Sequence, residues 1–527
     1  MINPIPSHSF GRFGRFATLP VGAWLLAFLV VPLGMMTTQH MAQADFTRVL
    51  SQSTTWRVIW FSTWQATLSA IATLLIAAPV TWLIGRHHFL GRRVLRALTT
   101  VGFLLPSIVV GTAFLALLPR SLHYTVFAVV VAHAYFNLAV VVRVVGTRLE
   151  MFDPRVLDAA RTLGASPAIT ARTIWWPSLR GAVASAAGLI FLYCFTSFAV
   201  VRVLGGPRRS TLESDIALRA FGIGDISAAT VLALTQLVLI VLIVGGLHLF
   251  GGRQFTPSQR TMPTLQPLAT GQRPYAVLIG VGTSVFVLLP LVMLFWKSIH
   301  VGNTMSLAAW QSLRDTSIVG SLVASLRTAL VAGVVGVLLA VCAALSIVRL
   351  PSAGRFIYGL SVVPLALSPV TLGLGLLVTF DSGWWDWRAH WWFIATAHTL
   401  VAFPLAVRVL VPTWRSIPYG LHHAAAALGA SETQRLLHID LRLLRRAIVA
   451  SVGLIIAVSL GEFGAASLMS RQNTETLPVA IARLLERTGD LVRAQAFVLA
   501  SVLVLACFAA LCVVEVALGR SERVARQ

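Results

Sequence analysis

The chain has 527 residues, 57% of them hydrophobic and only 11% charged, with a mean hydropathy of +0.83. Soluble domains carry about 25% charged residues, so a soluble enzyme or binding module is excluded and the chain is expected to live in lipid. A formal net charge of +23 would suit nucleic acid, but no basic arm or aromatic-interleaved basic stripe goes with it, and no nucleic-acid partner is expected.

In chain order, twelve segments reach the roughly 20 apolar residues that a helix needs to cross a bilayer core. They are 20–36, 63–84, 98–118, 125–142, 181–204, 228–250, 276–296, 328–348, 357–380, 391–407, 447–469 and 496–518. The first follows Arg12 and Arg15 and is trailed by Ala42, Gln43 and Ala44. That imitates a signal peptide, but the apolar run exceeds the usual span of about 7 to 15, so it is read as a membrane span. Pro79, Pro106, Pro364 and Pro369 fall inside these runs and are expected to kink them, not to end them. Cys194, Cys342, Cys507 and Cys512 all lie in apolar stretches without pairing or metal-ligand spacing, which makes them packing residues.

Orientation follows from the basic residues. With the N-terminus inside, 26 of the 41 Lys and Arg fall in inner segments, including six arginines each after spans four and ten. Loops rich in Lys and Arg face the cytoplasm, so both termini are expected there, in a multi-pass membrane protein.

The sequence repeats at an offset of 265. His133 maps to His398, Arg143 to Arg408, Leu163 to Ser166 onto Leu428 to Ser431, Phe198 to Phe463, and Gly224 and Asp225 to Gly489 and Asp490. Six spans per copy is an even number, so both copies enter the membrane from the same side and the repeats are parallel. The expected organisation is a first half over 1–250, a proline-containing cytoplasmic linker over 251–274 and a second half over 275–527. The whole is an all-α protein of twelve transmembrane helices with pseudo-twofold symmetry.

The loop after span four reads LEMFDPRVLDAARTLGASPAITARTIWWPSLR. Pro154 suits a helix start, Gly164 breaks that helix, Ser166 can cap the next and Pro167 fits its first turn. The expectation is helix, glycine turn, short helix, repeated in the loop after span ten around Gly429 and Ser431. These loops resemble the cytoplasmic loop of binding-protein-dependent ABC permeases, whose pattern is Glu-Ala-Ala, three residues, Gly, nine residues, Ile, one residue, Leu-Pro. The first copy supplies Asp158, Ala159, Ala160, Gly164, Ile174, Trp176 and Pro177; the second supplies His423, Ala424, Ala425, Gly429, Ile439, Leu441 and Arg442. Asp158 is a shortened acid, His423 is no acid and Arg442 replaces the proline, so a salt bridge from the second copy's first position is not to be expected.

The resemblance implies a type I importer permease fold whose two loops are coupling helices seated in two copies of an ABC ATPase subunit. It further implies that the membrane is a bacterial cytoplasmic (inner) one, with an extracytoplasmic solute-binding protein as partner and alternating access. ATP binding would close the ATPases, pull the loops around 153–177 and 418–442 together and open the pore outward. The chain carries no GxxxxGK[ST]. It is therefore expected to be no enzyme and to bind no cofactor, with ATP and Mg on the partner ATPase and membrane lipid around the spans.

Across nearly the whole chain the resemblance is closest to fused thiamine permeases, with iron(III) permeases as the alternative and a secondary transporter as the alternative of another class. FSTWQATLSA at 61–70, AHAYFNLA at 132–139, LIFLYCFTSFA at 189–199, SLGEFGAASL at 459–468 and the pair TLESDI and TLPVAI carry it. A charge near mid-bilayer costs about 2.5–3.5 kcal/mol, so Glu462 stands out as a pathway candidate. It could meet an organic cation, helped by the rings of Tyr193, Phe198 or Phe463, or a metal cation; equally, it could hydrogen-bond a neighbouring span. Ser197 is its uncharged counterpart. His133 and His398, at matched depths, are expected to make interhelical hydrogen bonds and not to bind metal. Trp384, Trp385, Trp387, Trp391 and Trp392 form an expected interfacial belt, with docking of the binding protein as the sharper reading.

Overall fold

The computed structural model describes residues 11–43, 46–206, 209–250, 265–380, 387, 390–471 and 474–524. Ala44, Trp384, Trp385 and the part of the linker over 251–264 lie outside the described residues. Among the described residues ten helices are long and apolar enough to cross a membrane, and two further pairs of helices bring the number to twelve if each pair is one span. The fold is thus all-α, and among the described residues the strands are two-residue pairs, His87–His88 beside Gln266–Pro267 and His300–Val301 beside Thr304–Met305.

The two bent pairs correct the reading of two prolines. Arg92–Leu104 and Ser107–Leu117 meet at 103°, and Pro351–Ala366 and Pro369–Phe380 at 107°. Pro106 and Pro369 sit at these breaks and end a helix, whereas Pro79 and Pro364 are carried inside helices. A proline pushes the preceding residue out of the helical region, and Leu105 is extended at φ −78°, ψ 146°. The Ser368 hydroxyl accepts from the Thr371 amide at 3.1 Å, capping the helix that restarts after its break.

Spans five and eleven, expected to run unbroken over 181–204 and 447–469, are also interrupted. One helix stops at Phe195 and a short one resumes at Ala199–Leu204; the other stops at Gly461 and resumes at Gly464–Met469. Freed backbone groups inside a membrane need internal partners. At the first break the Gln65 amide donates to the Cys194 carbonyl at 2.9 Å.

The copies repeat in three dimensions. Spans two and eight, Ser53–Arg86 and Thr316–Arg349, are each 34 residues long. Ser62 Oγ accepts from the Leu212 amide at 2.9 Å, and Ser325 Oγ from the Leu477 amide at 2.6 Å, so each copy pins the helix after its broken span in the same way. Here the offset is 263, two less than downstream, and the difference enters between the bent pair and span four.

Two compact units emerge from the packing. One comprises Met1–Phe46, Ile216–Val231 and Leu307–Gln527, the other Thr47–Asp215 and Leu232–Ser306. Within the first, span one lies along Thr316–Arg349: Thr18 Oγ1 donates to Ser346 Oγ at 3.0 Å, and a Cβ on Gly14 would meet Leu350 at 3.1 Å. Within the second, Arg273–Ser298 packs on the bent pair, and Tyr135 donates to the Val287 carbonyl at 3.1 Å. The first helix of each sequence copy therefore packs in the unit that holds most of the other copy.

Candidate functional site

The two loops fold as matched objects. Asp153 caps the first through the Arg155 amide, and the helix Pro154–Thr162 ends on Gly164 at φ 76°. The Ala165 amide reaches back to the Ala160 carbonyl at 2.9 Å and the Gly164 amide to the Arg161 carbonyl at 2.9 Å, the pair of bonds that closes a helix on a left-handed glycine. In the second copy Tyr419–Ala427 ends on Gly429 at φ 81°, with Ala430 bonded to Ala425 at 2.9 Å and Gly429 to Ala426 at 3.0 Å. The glycines are thus required by backbone handedness, since a Cβ on either would meet nothing within 4 Å. The second alanine of each triplet supplies the carbonyl that closes the turn.

After the turn the expected short helix is instead the start of a membrane span. Ser166 caps through the Ile169 amide, Ser431 through the Gln434 amide, and the chain runs on as Pro167–Phe195 and Glu432–Gly461. A five-residue π segment interrupts each, Ala171–Trp175 and Leu436–Asp440. Ile174 and Ile439 lie half-buried in these segments, while Pro177 stands exposed in the first turn beyond.

Exposure repeats position for position over 155–166 and 420–431. Asp158, Ala159, His423 and Ala424 are exposed, Ala160 and Ala425 half-buried, and Leu163 and Leu428 stand out at 87% and 88% exposure. A leucine held that far out at both copies, on a capped and glycine-closed turn, is a rigid apolar knob. Asp158 pairs with Arg161 at 3.6 Å along its own helix, and the His423 ring sits 4.3 Å from Tyr419.

Beneath the knobs the copies differ, and the sequence reading had passed over the residues responsible. Arg86, the last residue of span two, is buried with its guanidinium 4.9 Å from the Trp175 ring and 5.7 Å from the Phe152 ring. Its counterpart Arg349 instead donates to Asp440 at 2.6 Å, and His422 Nε2 lies 3.1 Å from the other Asp440 oxygen. Asp440 occupies the place of Trp175 and His422 that of Leu157. Burial holds His422 below the ordinary histidine range; Asp440 opposes that shift, and Arg349 and Arg435 reinforce it. The signal was available as an arginine closing each apolar span, but only the fold shows what it meets.

The pathway candidates lie at the breaks of spans five and eleven, one set in each unit. Ser197 lies at the break of span five, its Oγ 2.9 Å from His133 Nε2, while His133 Nδ1 lies 3.1 Å from Ser69 Oγ. At the matched break of span eleven the Glu462 carboxylate accepts from the Ala465 and Ala466 amides, both at 2.9 Å, and lies 3.2 Å from His398 Nε2. His398 Nδ1 is 2.8 Å from Ser459 Oγ. Glu462 therefore caps the restarting helix, and a Cβ on Gly464 would come within 2.9 Å of Pro369. Phe198 and Phe463 are buried at the same two breaks, whereas Tyr193 is exposed and faces Phe103, ring to ring 5.9 Å. Among the described residues no group of three or more His, Cys, Asp or Glu could hold a metal ion. A further buried carboxylate, Glu213 of the TLESDI stretch, accepts from Gln236 at 2.6 Å. Of the tryptophans described, Trp387 packs on Phe380 at 4.8 Å and Trp391 lies under Arg327 at 4.1 Å.

Residues 77–253 and 332–520, more than half of the chain, match the family described as binding-protein-dependent transport system inner membrane component. The chain is 28% identical over 532 residues to the thiamine transport system permease protein ThiP of Escherichia coli (strain K12), covering 96% of each. It is 28% identical over 482 residues to the protein of that name from Brucella abortus (strain 2308), covering 86% of each. With the Haemophilus influenzae protein of that name it shares 23% over 471 residues, 85% of this chain and 86% of that one. One match in each sequence copy, both embracing a glycine-closed loop and the broken span behind it, means that the chain belongs to the binding-protein-dependent inner membrane components, as an ABC importer permease.

Proposed function

We propose that this chain is the membrane-spanning subunit of an ATP-driven importer of thiamine, receiving the solute from an extracytoplasmic binding protein and releasing it into the cytoplasm. The observation that carries the coupling half of this reading is the pair of exposed leucines, Leu163 and Leu428, on capped turns at matched positions. Each knob seats in its own copy of an ATPase subunit, which holds ATP and Mg, and takes up that subunit's motion. The knob side is the cytoplasm, where both termini lie, in keeping with the excess of arginine there. Thiamine rather than iron(III) is favoured by relatives that bear its name, covered over 96% of the length of one and 86% of two others.

Uptake by the complex reconstituted in vesicles, with labelled thiamine and ferric iron offered in parallel, tests the proposal. ATP-dependent thiamine uptake is expected; ferric uptake alone would overturn the solute, and uptake by the isolated chain without ATPase would overturn the importer.

A further inference from the structure

Arg86 and Arg349 end matched spans at matched places, yet the groups around them have been exchanged from apolar to charged. In copy one the guanidinium faces Phe152 and Trp175, themselves 4.5 Å apart, and lies 3.5 Å from the Phe152 carbonyl, with Leu157 and Thr170 at the neighbouring positions. In copy two those positions are Ile417, Asp440, His422 and Arg435. The Arg349 and Asp440 side chains are 10% and 0% exposed. Each arginine joins three things: the end of its own span, the π segment that opens the span behind the loop, and the loop helix or its entry. Residue 175 or 440 closes the π segment, so the one extra residue in that turn aims its side chain at the arginine.

We propose that Arg86 and Arg349 are positioning residues that hold the two coupling loops to the membrane helices by different physics, a cation–aromatic stack in copy one and a buried ion pair in copy two. The assignment rests on the loops being the seats of the ATPase. Knob motion is then transmitted to span two through ring faces and to span eight through a charge pair. The two kinds of contact tolerate different cations. A lysine ammonium can still pair with a carboxylate as a point charge, but lacks the planar guanidinium that lies flat on a ring.

The test uses the whole chain with its ATPase in vesicles, at equal amounts of assembled complex, and reads solute moved per ATP hydrolysed. Arg86→Gln and Arg349→Gln are each expected to lower that ratio by about fivefold or more, the lower edge of a typical coupling energy. Arg349→Lys should keep most of the ratio and Arg86→Lys should not. Asp440→Asn should lower it as far as Arg349→Gln does, and the double variant no further, because the two report one interaction. Equal behaviour of the two lysine variants, additive losses at Arg349 and Asp440, or an unchanged ratio in the glutamine variants would each overturn the proposal. Failure of the unsubstituted chain to assemble with an ATPase would instead sink the reading of the loops themselves.

Discussion

At Gly164 and Gly429 handedness can be separated from space. Neither has an atom within 4 Å of where a Cβ would stand, so alanine costs only the left-handed backbone, about 1–2 kcal/mol. Asparagine, which tolerates that region, should therefore restore most of the uptake lost in Gly164→Ala or Gly429→Ala, while valine should lose more than alanine; equal uptake in all three variants would show the turn to be dispensable. His422 carries a pH dependence of known sign. Its pKa is lowered in the fold by burial among Asp440, Arg349 and Arg435, so the unfolded chain takes up the proton first. The stability it contributes is complete above about pH 6.5, the ordinary histidine value, and is lost as pH falls toward the folded value. Thermal unfolding of the detergent-purified chain should show acid sensitivity below about pH 6.5 that His422→Leu, the residue of the other copy, reduces.

At the level of elements, the glycine turns, their serine caps and the proline starts were legible because each depends on one residue's local chemistry. The breaks in spans three, five, nine and eleven were not. Their flanks are as apolar as the spans around them, and what helps to permit the break in span five is a distant partner, Gln65 at Cys194. Glu462 shows the consequence: in the sequence it reads equally as a pathway charge or as a partner of a neighbouring span, and in the fold it caps Gly464–Met469 through two amides. Hydrogen bonds to charged groups contribute about 1.5–3 kcal/mol, so Glu462→Ala should lower the unfolding temperature measurably. Glu462→Ser should lower it less, since serine also caps and already stands beside the histidine of copy one. If Glu462→Ser instead kept full stability while thiamine uptake vanished, the carboxylate would be meeting solute after all.

For the whole molecule, repetition in sequence and division into packed bodies follow different boundaries. The offset of 265 was readable because duplicated residues stay in register, but apolar periodicity states that a helix has a buried face without stating what covers it. Span one begins copy one and packs in the unit holding 307–527, where Val21, Leu25 and Leu29 are buried and Thr18 bonds Ser346. Removing residues 1–45 should therefore uncover Thr316–Arg349 and leave the unit of Thr47–Asp215 intact. Limited proteolysis of the truncated chain in detergent is expected to release fragments cut within 307–527 earlier than in the full chain, with cutting in 47–215 unchanged. The opposite order of cutting would mean that span one supports the copy it begins, as tandem duplication taken alone would suggest. The same logic makes the length before span two a requirement of the second copy's fold, because a helix lost from one end of the chain is missed by residues some 330 positions away.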